Sequence, residues 1–183
     1  MPIYKRLFIG LELPASNKAL MEELNPRLHG LRWLPAAQLH LTLSFLGDVV
    51  QEHQAVLHDS LQQIRVHSFF LPLQGVGFFR ARGRPSVVWV GVGKGHPHLF
   101  ALHKHVQDAI LHAGLEADLK SFHPHVTVAR SSGISTQALK PWIRRHESDD
   151  FGLFEVKDFV LFSSVLAPER AEYHVELRVS LVP

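Results

Sequence analysis

Apolar and polar residues fall along this chain in blocks that predict strands and helices in turn. Arg6–Leu13 (RLFIGLEL) is a mostly apolar run stopped by Pro14, which predicts a buried strand. Leu20, Leu24 and Leu28 then share one helical face, with Ser16 as the expected N-cap and Pro26 ending or kinking the helix. The segment 39–46 (LHLTLSFL) alternates as a strand and is closed by Gly47 and Asp48, and Leu57, Leu61 and Ile64 mark a second amphipathic helix. In the middle, FFLPL (69–73) and SVVWVGV (86–92) predict strands joined by QGVGFFRARGRP. Pro97 suits a first helical turn, and Leu99, Leu102, Val106, Ile110 and Ala113 carry that helix to Gly114. HPHVTVA (123–129) predicts another strand, followed by a short polar helix over Ser135–Arg145. The C-terminal part reads as a hairpin of LFEVKDFVLFSS and YHVELRVSLV turning at APER.

The order of these blocks repeats. A strand, a helix, a strand beginning H-x-T-x and a further helix occur in each half, with 34 positions from Arg6 to His40 and 38 from Val87 to His125. Two equivalent positions in two similar halves predict an internal duplication. The fold class expected is α+β: bilobal and pseudo-two-fold, with antiparallel sheets around a central cleft and helices outside. Residues 1–183 are expected to form a single domain of two intertwined lobes, each carrying one H-x-T-x strand.

Composition narrows the function classes. The 183 residues are 46% hydrophobic and 20% charged, as in an ordinary globular protein. No apolar run approaches the roughly 20 residues of a membrane-spanning helix. The run after Lys5 and Arg6 is too short for a secretory signal and contains Glu12, so a soluble cytoplasmic protein without membrane association is expected. The absence of cysteine excludes disulfides, thiolate metal sites and a cysteine nucleophile. A formal charge of +2 and a pI near 9.1 permit an anionic ligand without demanding one.

The repeated word carries the chemistry. Strand side chains alternate, so His40 and Thr42 face one way while Leu41 and Leu43 face the other; His125 and Thr127 likewise oppose Val126 and Val128. A single strand histidine is more often a packed residue than a catalyst, but two at corresponding places in a repeat reverse that balance. Two imidazoles flanking a substrate can divide proton removal and proton donation, and two threonine hydroxyls can donate to phosphate oxygens. The set suits metal-free phosphodiester cleavage.

On HLTLSFLG, FHPHVTVAR and the opening RLFIGLELP, the chain resembles the 2H phosphoesterase superfamily, in its RNA 2′,3′-cyclic phosphodiesterase branch, formerly called 2′-5′ RNA ligases. The resemblance spans nearly the whole chain. It implies hydrolysis of terminal RNA 2′,3′-cyclic phosphates to 2′-phosphomonoesters without a metal or other cofactor, and reversible 2′-5′ ligation. It implies His40 as proton donor to the departing 3′ oxygen, His125 as the base that activates water, and Thr42 and Thr127 as phosphate ligands. Phe45 and Arg130 occupy the family positions of a base-stacking aromatic and a basic residue near the phosphate. Strict alternation sets both on the face opposite their histidines, so they reach the site only if the strand bulges or ends there. The partners implied are RNA ends bearing a 2′,3′-cyclic phosphate, and small cyclic nucleotides, bound by a monomer.

Other signals are weaker. GFFRARGRP interleaves Phe78 and Phe79 with Arg80, Arg82 and Arg84, which fits either an RNA-contacting loop or a solvated one. The pairs His96/His98, His103/His105 and His123/His125 invite a metal, but no carboxylate-rich or H-E-x-x-H pattern completes a site. His123 reads as a supporting partner of His125 and the others as surface residues. No G-x-S-x-G elbow supports a serine hydrolase. The alternative from another class is an RNA-end-binding module without turnover.

Overall fold

The computed structural model describes residues 4–93, 96–118, 121–166 and 171–183. Along these the elements are β1 (Tyr4–Glu12), α1 (Ala15–Glu23), β2 (Leu31–Trp33), a short 3₁₀ turn (Ala36–Gln38), β3 (His40–Val50), α2 (Gln51–Gln62), β4 (Phe69–Ala81), β5 (Arg84–Val92), α3 (Pro97–His112), β6 (His125–Ser131), α4 (Thr136–His146), β7 (Asp150–Val156), β8 (Asp158–Leu166) and β9 (Ala171–Ser180). The fold is α+β with antiparallel strand ladders, in the order β7-β4-β5-β6-β3-β1-β8-β9, and β2 pairs with β6 beside that path.

The order is nearly symmetric about its centre. Outward from β6 run β5, β4 and β7; outward from β3 run β1, β8 and β9. The first half is therefore completed by the C-terminal strands, and the two lobes interlock. Between β3 and β6 the register records one pair, Leu41 with Val126, so the central strands touch there and splay. Leu41 and Val126 are fully buried, as are Leu57, Leu61, Leu99, Leu102, Val106 and Ile110 from α2 and α3 in the same core. A second, small cluster of Phe8, Val160 and Phe162, with Tyr173 against it, lies apart from that core. Phe8 reaches the His40 ring at 4.8 Å, which places this cluster on the cleft face.

Several expectations are corrected. Ser16 lies inside α1 and Pro14 takes the N-cap position without a side-chain cap bond. The buried face of α1 carries Asn17 and Met21, while Leu20 is 42% exposed. Asn17 donates to the Phe151 carbonyl at 2.8 Å, so a polar residue holds the inward position that the leucine spacing suggested for Leu20. β3 does not close at Gly47 but runs on to Val50, with Gly47 at φ 68° where its register to β1 shifts. The segment QGVGFFRARGRP is mostly strand, and β4 and β5 meet at the two-residue turn Arg82–Gly83, at φ 51° and 78°. LFEVKDFVLFSS is two strands parted at Lys157: β7 joins β4 in one lobe and β8 joins β1 and β9 in the other. β8 and β9 do form a hairpin, and APER lies outside the described residues. Ser135, read as the first residue of the helix, is the N-cap of α4 and accepts from the Ala138 amide at 3.1 Å.

Removing packing at the joint is expected to be far more costly than trimming the exposed face of α1. Leu41→Ala should lower unfolding free energy by about 2–5 kcal/mol, and Leu20→Ala by less than about 0.5 kcal/mol, in urea titrations.

Candidate active site

The two H-x-T-x stretches have the same local structure. Over His40–Leu46 and His125–Ser131 the succession of half-buried, buried and exposed positions is identical. Leu41, Leu43, Val126 and Val128 enter the core, which turns His40, Thr42, His125 and Thr127 to the other face. Because Leu41 pairs with Val126 in an antiparallel crossing, His40 stands across from Thr127 and Thr42 across from His125. The four side chains mark the corners of a quadrilateral with the histidines on one diagonal, where neighbours in such a pair are roughly 7–8 Å apart. Gly10, paired with Thr42 on β1, makes room here: a Cβ on it would stand 2.8 Å from the Leu41 carbonyl oxygen and 3.5 Å from the His40 ring.

Each imidazole is pinned in the same way. His40 Nδ1 lies 2.7 Å from the carbonyl oxygen of Gln38, and His125 Nδ1 lies 2.6 Å from that of His123. A carbonyl can only accept, so both Nδ1 atoms carry the proton and both Nε2 atoms are left for a substrate. Aromatic rings hold the imidazoles from the side. His40 packs on Phe8 at 4.8 Å and edge-on to Tyr173 at 5.3 Å; His125 packs edge-on to Phe79 at 4.8 Å. His123 supports His125 through its backbone carbonyl, while its ring lies 6.4 Å from that of Phe79.

The surroundings favour neutral imidazoles and an anionic guest. Burial pushes the His40 pKa from 6.5 down to about 4; the bond to Gln38 opposes this, and the charges of Lys18, His125 and Arg130 add to it. Burial also lowers His125, against the bond to the His123 carbonyl, with the His123 charge lowering it further. A phosphate between them would supply the negative charge that reverses these shifts.

Phe45 and Arg130 are on the cleft face after all. The β1–β3 register passes from Gly10–Thr42 to Ile9–Ser44 and skips Leu43; the β5–β6 register passes from Trp89–Thr127 to Val88–Ala129 and skips Val128. These matched bulges shift the alternation by one. Phe45, 66% exposed, borders a cavity of about 230 Å³ together with Thr42, Phe79, Phe122 and His125. Arg130 is close enough for its charge to act on His40 and Tyr173. The expectation of strict alternation failed because a bulge residue that is itself apolar leaves no mark in the sequence.

Phe8, Lys18, Phe79, Trp89 and Tyr173 were not singled out beside the histidines. Only Phe79 had a signal, in the aromatic–arginine stretch; there Phe79 turns to His125, whereas Phe78 underlies the Arg80 guanidinium at 5.5 Å. His103 is not a simple surface residue, since its ring stacks on Phe122 at 3.9 Å. Among the described residues no three His, Asp or Glu side chains group as metal ligands, and no helix is long and apolar enough to cross a membrane.

Comparison with known proteins yields consistent relatives. A family model described as the 2′-5′ RNA ligase superfamily matches residues 13–165. An Archaeoglobus fulgidus protein named RNA 2′,3′-cyclic phosphodiesterase is 33% identical over 177 residues, covering 95% of this chain and 98% of that protein. The Escherichia coli protein of the same name is 29% identical over 173 residues, covering 92% of each chain. Among solved structures, one described as a phosphoesterase superposes with a TM-score of 0.83 at 26% identity over 100% of both chains. Escherichia coli LigT complexed with 3′-AMP superposes with a TM-score of 0.82 at 28% identity, over 99% of this chain and 100% of that one.

Stability should record the buried neutral His40. Between pH 6.5 and about 4 the unfolded chain takes up a proton that native His40 refuses, so stability falls as pH falls through that window. The contribution is roughly 3 kcal/mol at most. Urea titrations at pH 7 and pH 4.5 should therefore differ by less in His40→Asn than in the wild type.

Proposed function

This chain belongs to the 2′-5′ RNA ligase superfamily, the 2H phosphoesterases, and from that premise we propose that it hydrolyses terminal RNA 2′,3′-cyclic phosphates to 2′-phosphomonoesters without a metal. The observation that carries this reading is the crossing of two identically built H-x-T-x strands, with the histidines on the diagonal and each Nδ1 held by a main-chain carbonyl. Displacement at phosphorus brings the entering and leaving oxygens roughly into line, and a diagonal pair of imidazoles serves its two ends.

His125 Nε2 takes the proton of water as its oxygen bonds to phosphorus. The P–O3′ bond breaks, and His40 Nε2 gives a proton to O3′. Thr42 and Thr127 donate hydrogen bonds to the other two phosphate oxygens. The anionic phosphate raises the pKa of His40 into the range where it carries that proton, and Arg130 balances the charge that develops. Phe45 offers a face on which the terminal base can stack. With a 5′-hydroxyl in place of water, the same steps give 2′-5′ ligation.

Residues 1–183 are read as one monomeric domain, acting in the cytoplasm on RNA ends and on small nucleoside cyclic phosphates. The relatives named as RNA 2′,3′-cyclic phosphodiesterases support the RNA substrate, and LigT complexed with 3′-AMP supports nucleotide-sized ligands.

An oligonucleotide ending in a 2′,3′-cyclic phosphate, incubated with the protein and excess chelator, should yield a 2′-phosphate. His40→Ala and His125→Ala should each lower kcat by about 10²–10⁴. Absence of turnover, as in an RNA-end-binding module, or turnover undiminished in both variants, would sink the mechanism; a 3′-phosphate product would overturn the choice of leaving group.

A further inference from the structure

His125 stands between two cavities. One is the cavity it shares with Thr42 and Phe45. The other, about 360 Å³, opens beyond it and is walled by Phe79, Trp89, His96, Phe100 and His123. Gly91 pairs with His125 across the β5–β6 ladder, so backbone rather than a side chain lines the cavity there. A Cβ on Gly91 would stand 3.0 Å from the Gln74 carbonyl oxygen and 3.2 Å from the Trp89 ring. Two atoms of the walls, Trp89 Nε1 and His96 Nε2, are buried without a hydrogen-bond partner among the described residues. Unpaired polar atoms of this kind are uncommon in folded proteins. Among the described residues that line it none is Lys, Arg, Asp or Glu, and five carry aromatic rings or imidazoles besides His125, so these walls suit a planar guest.

We propose that this cavity is the subsite of a second nucleoside, the one whose 5′-hydroxyl takes the place of water. The inference rests on the function proposed above. With O3′ leaving toward His40, the entering oxygen and whatever it is attached to lie on the His125 side. Water needs no room beyond that imidazole, whereas a nucleoside needs a cavity with rings on which its base can stack. In the step it serves, the 5′-hydroxyl oxygen bonds to phosphorus while P–O3′ breaks. Its proton passes to His125, and His40 protonates O3′, leaving a 2′,5′-phosphodiester and a free 3′-hydroxyl. The reverse step regenerates the cyclic phosphate and releases the nucleoside.

The test compares two substrates in that reverse direction: a 2′,5′-linked dinucleoside monophosphate and the methyl ester of the same nucleoside 2′-phosphate. Wild type should favour the dinucleoside by roughly tenfold in kcat/KM, the worth of one stacked base. Phe100, 48% exposed, and His96 can be truncated without opening the core. Phe100→Ala and His96→Ala should each reduce the preference to within about threefold while changing cyclic phosphate hydrolysis by less than about twofold. Equal use of both esters by the wild type, or parallel loss of hydrolysis and preference in the variants, overturns the subsite alone. Failure of the wild type to hydrolyse the cyclic phosphate overturns the underlying function as well.

Discussion

Between Leu41 and Val126 the central strands of the two lobes make the register pair on which the cleft is built. Because both side chains are fully buried, a slip of one residue at this joint would drive a histidine or threonine into the core. Hydrophobic burial on one face therefore fixes the placement of four polar side chains on the other. The antiparallel sense of the crossing sends like residues to opposite corners, so two chemically identical imidazoles stand at different stations around the cleft.

Local devices then refine each station twice over. The carbonyl two residues before each histidine fixes its tautomer, and an aromatic ring fixes its plane. The bulges at Leu43 and Val128 bring the residue five beyond each histidine back to the cleft. There the lobes diverge: one supplies the apolar Phe45 and the other the cationic Arg130. The pseudo-symmetric frame thus carries an asymmetric lining, which suits the proposed substrate with a base on one side and a charged phosphate on the other. Burial has an electrostatic consequence as well. An empty site keeps His40 neutral near pH 7, so in the proposed mechanism its proton arrives together with the negative charge of the phosphate.

Much of this was legible in the sequence. Period-two alternation identified both H-x-T-x strands and their faces, and the equal order of elements revealed the duplication. Geometry that leaves no compositional trace was not legible. Leu43 and Val128 fit an unbroken strand as well as a bulged one, so Phe45 and Arg130 were assigned to the wrong face. The run through Lys157 has no Gly or Pro at the join, yet it passes from one lobe to the other, a partition decided by partners distant in the chain. Asn17 took an inward position in α1 because the Phe151 carbonyl gives its amide a partner, which helical spacing alone does not register.

The division of labour between the histidines is tested most directly by kcat/KM for a 2′,3′-cyclic phosphate as a function of pH, in the wild type, His40→Ala and His125→Ala. A bell-shaped profile is expected for the wild type. His125→Ala should lose the limb that rises with pH, because no base remains to be deprotonated, and His40→Ala should lose the limb that falls. Survival of both limbs in either variant would contradict a mechanism in which these two side chains are the base and the acid.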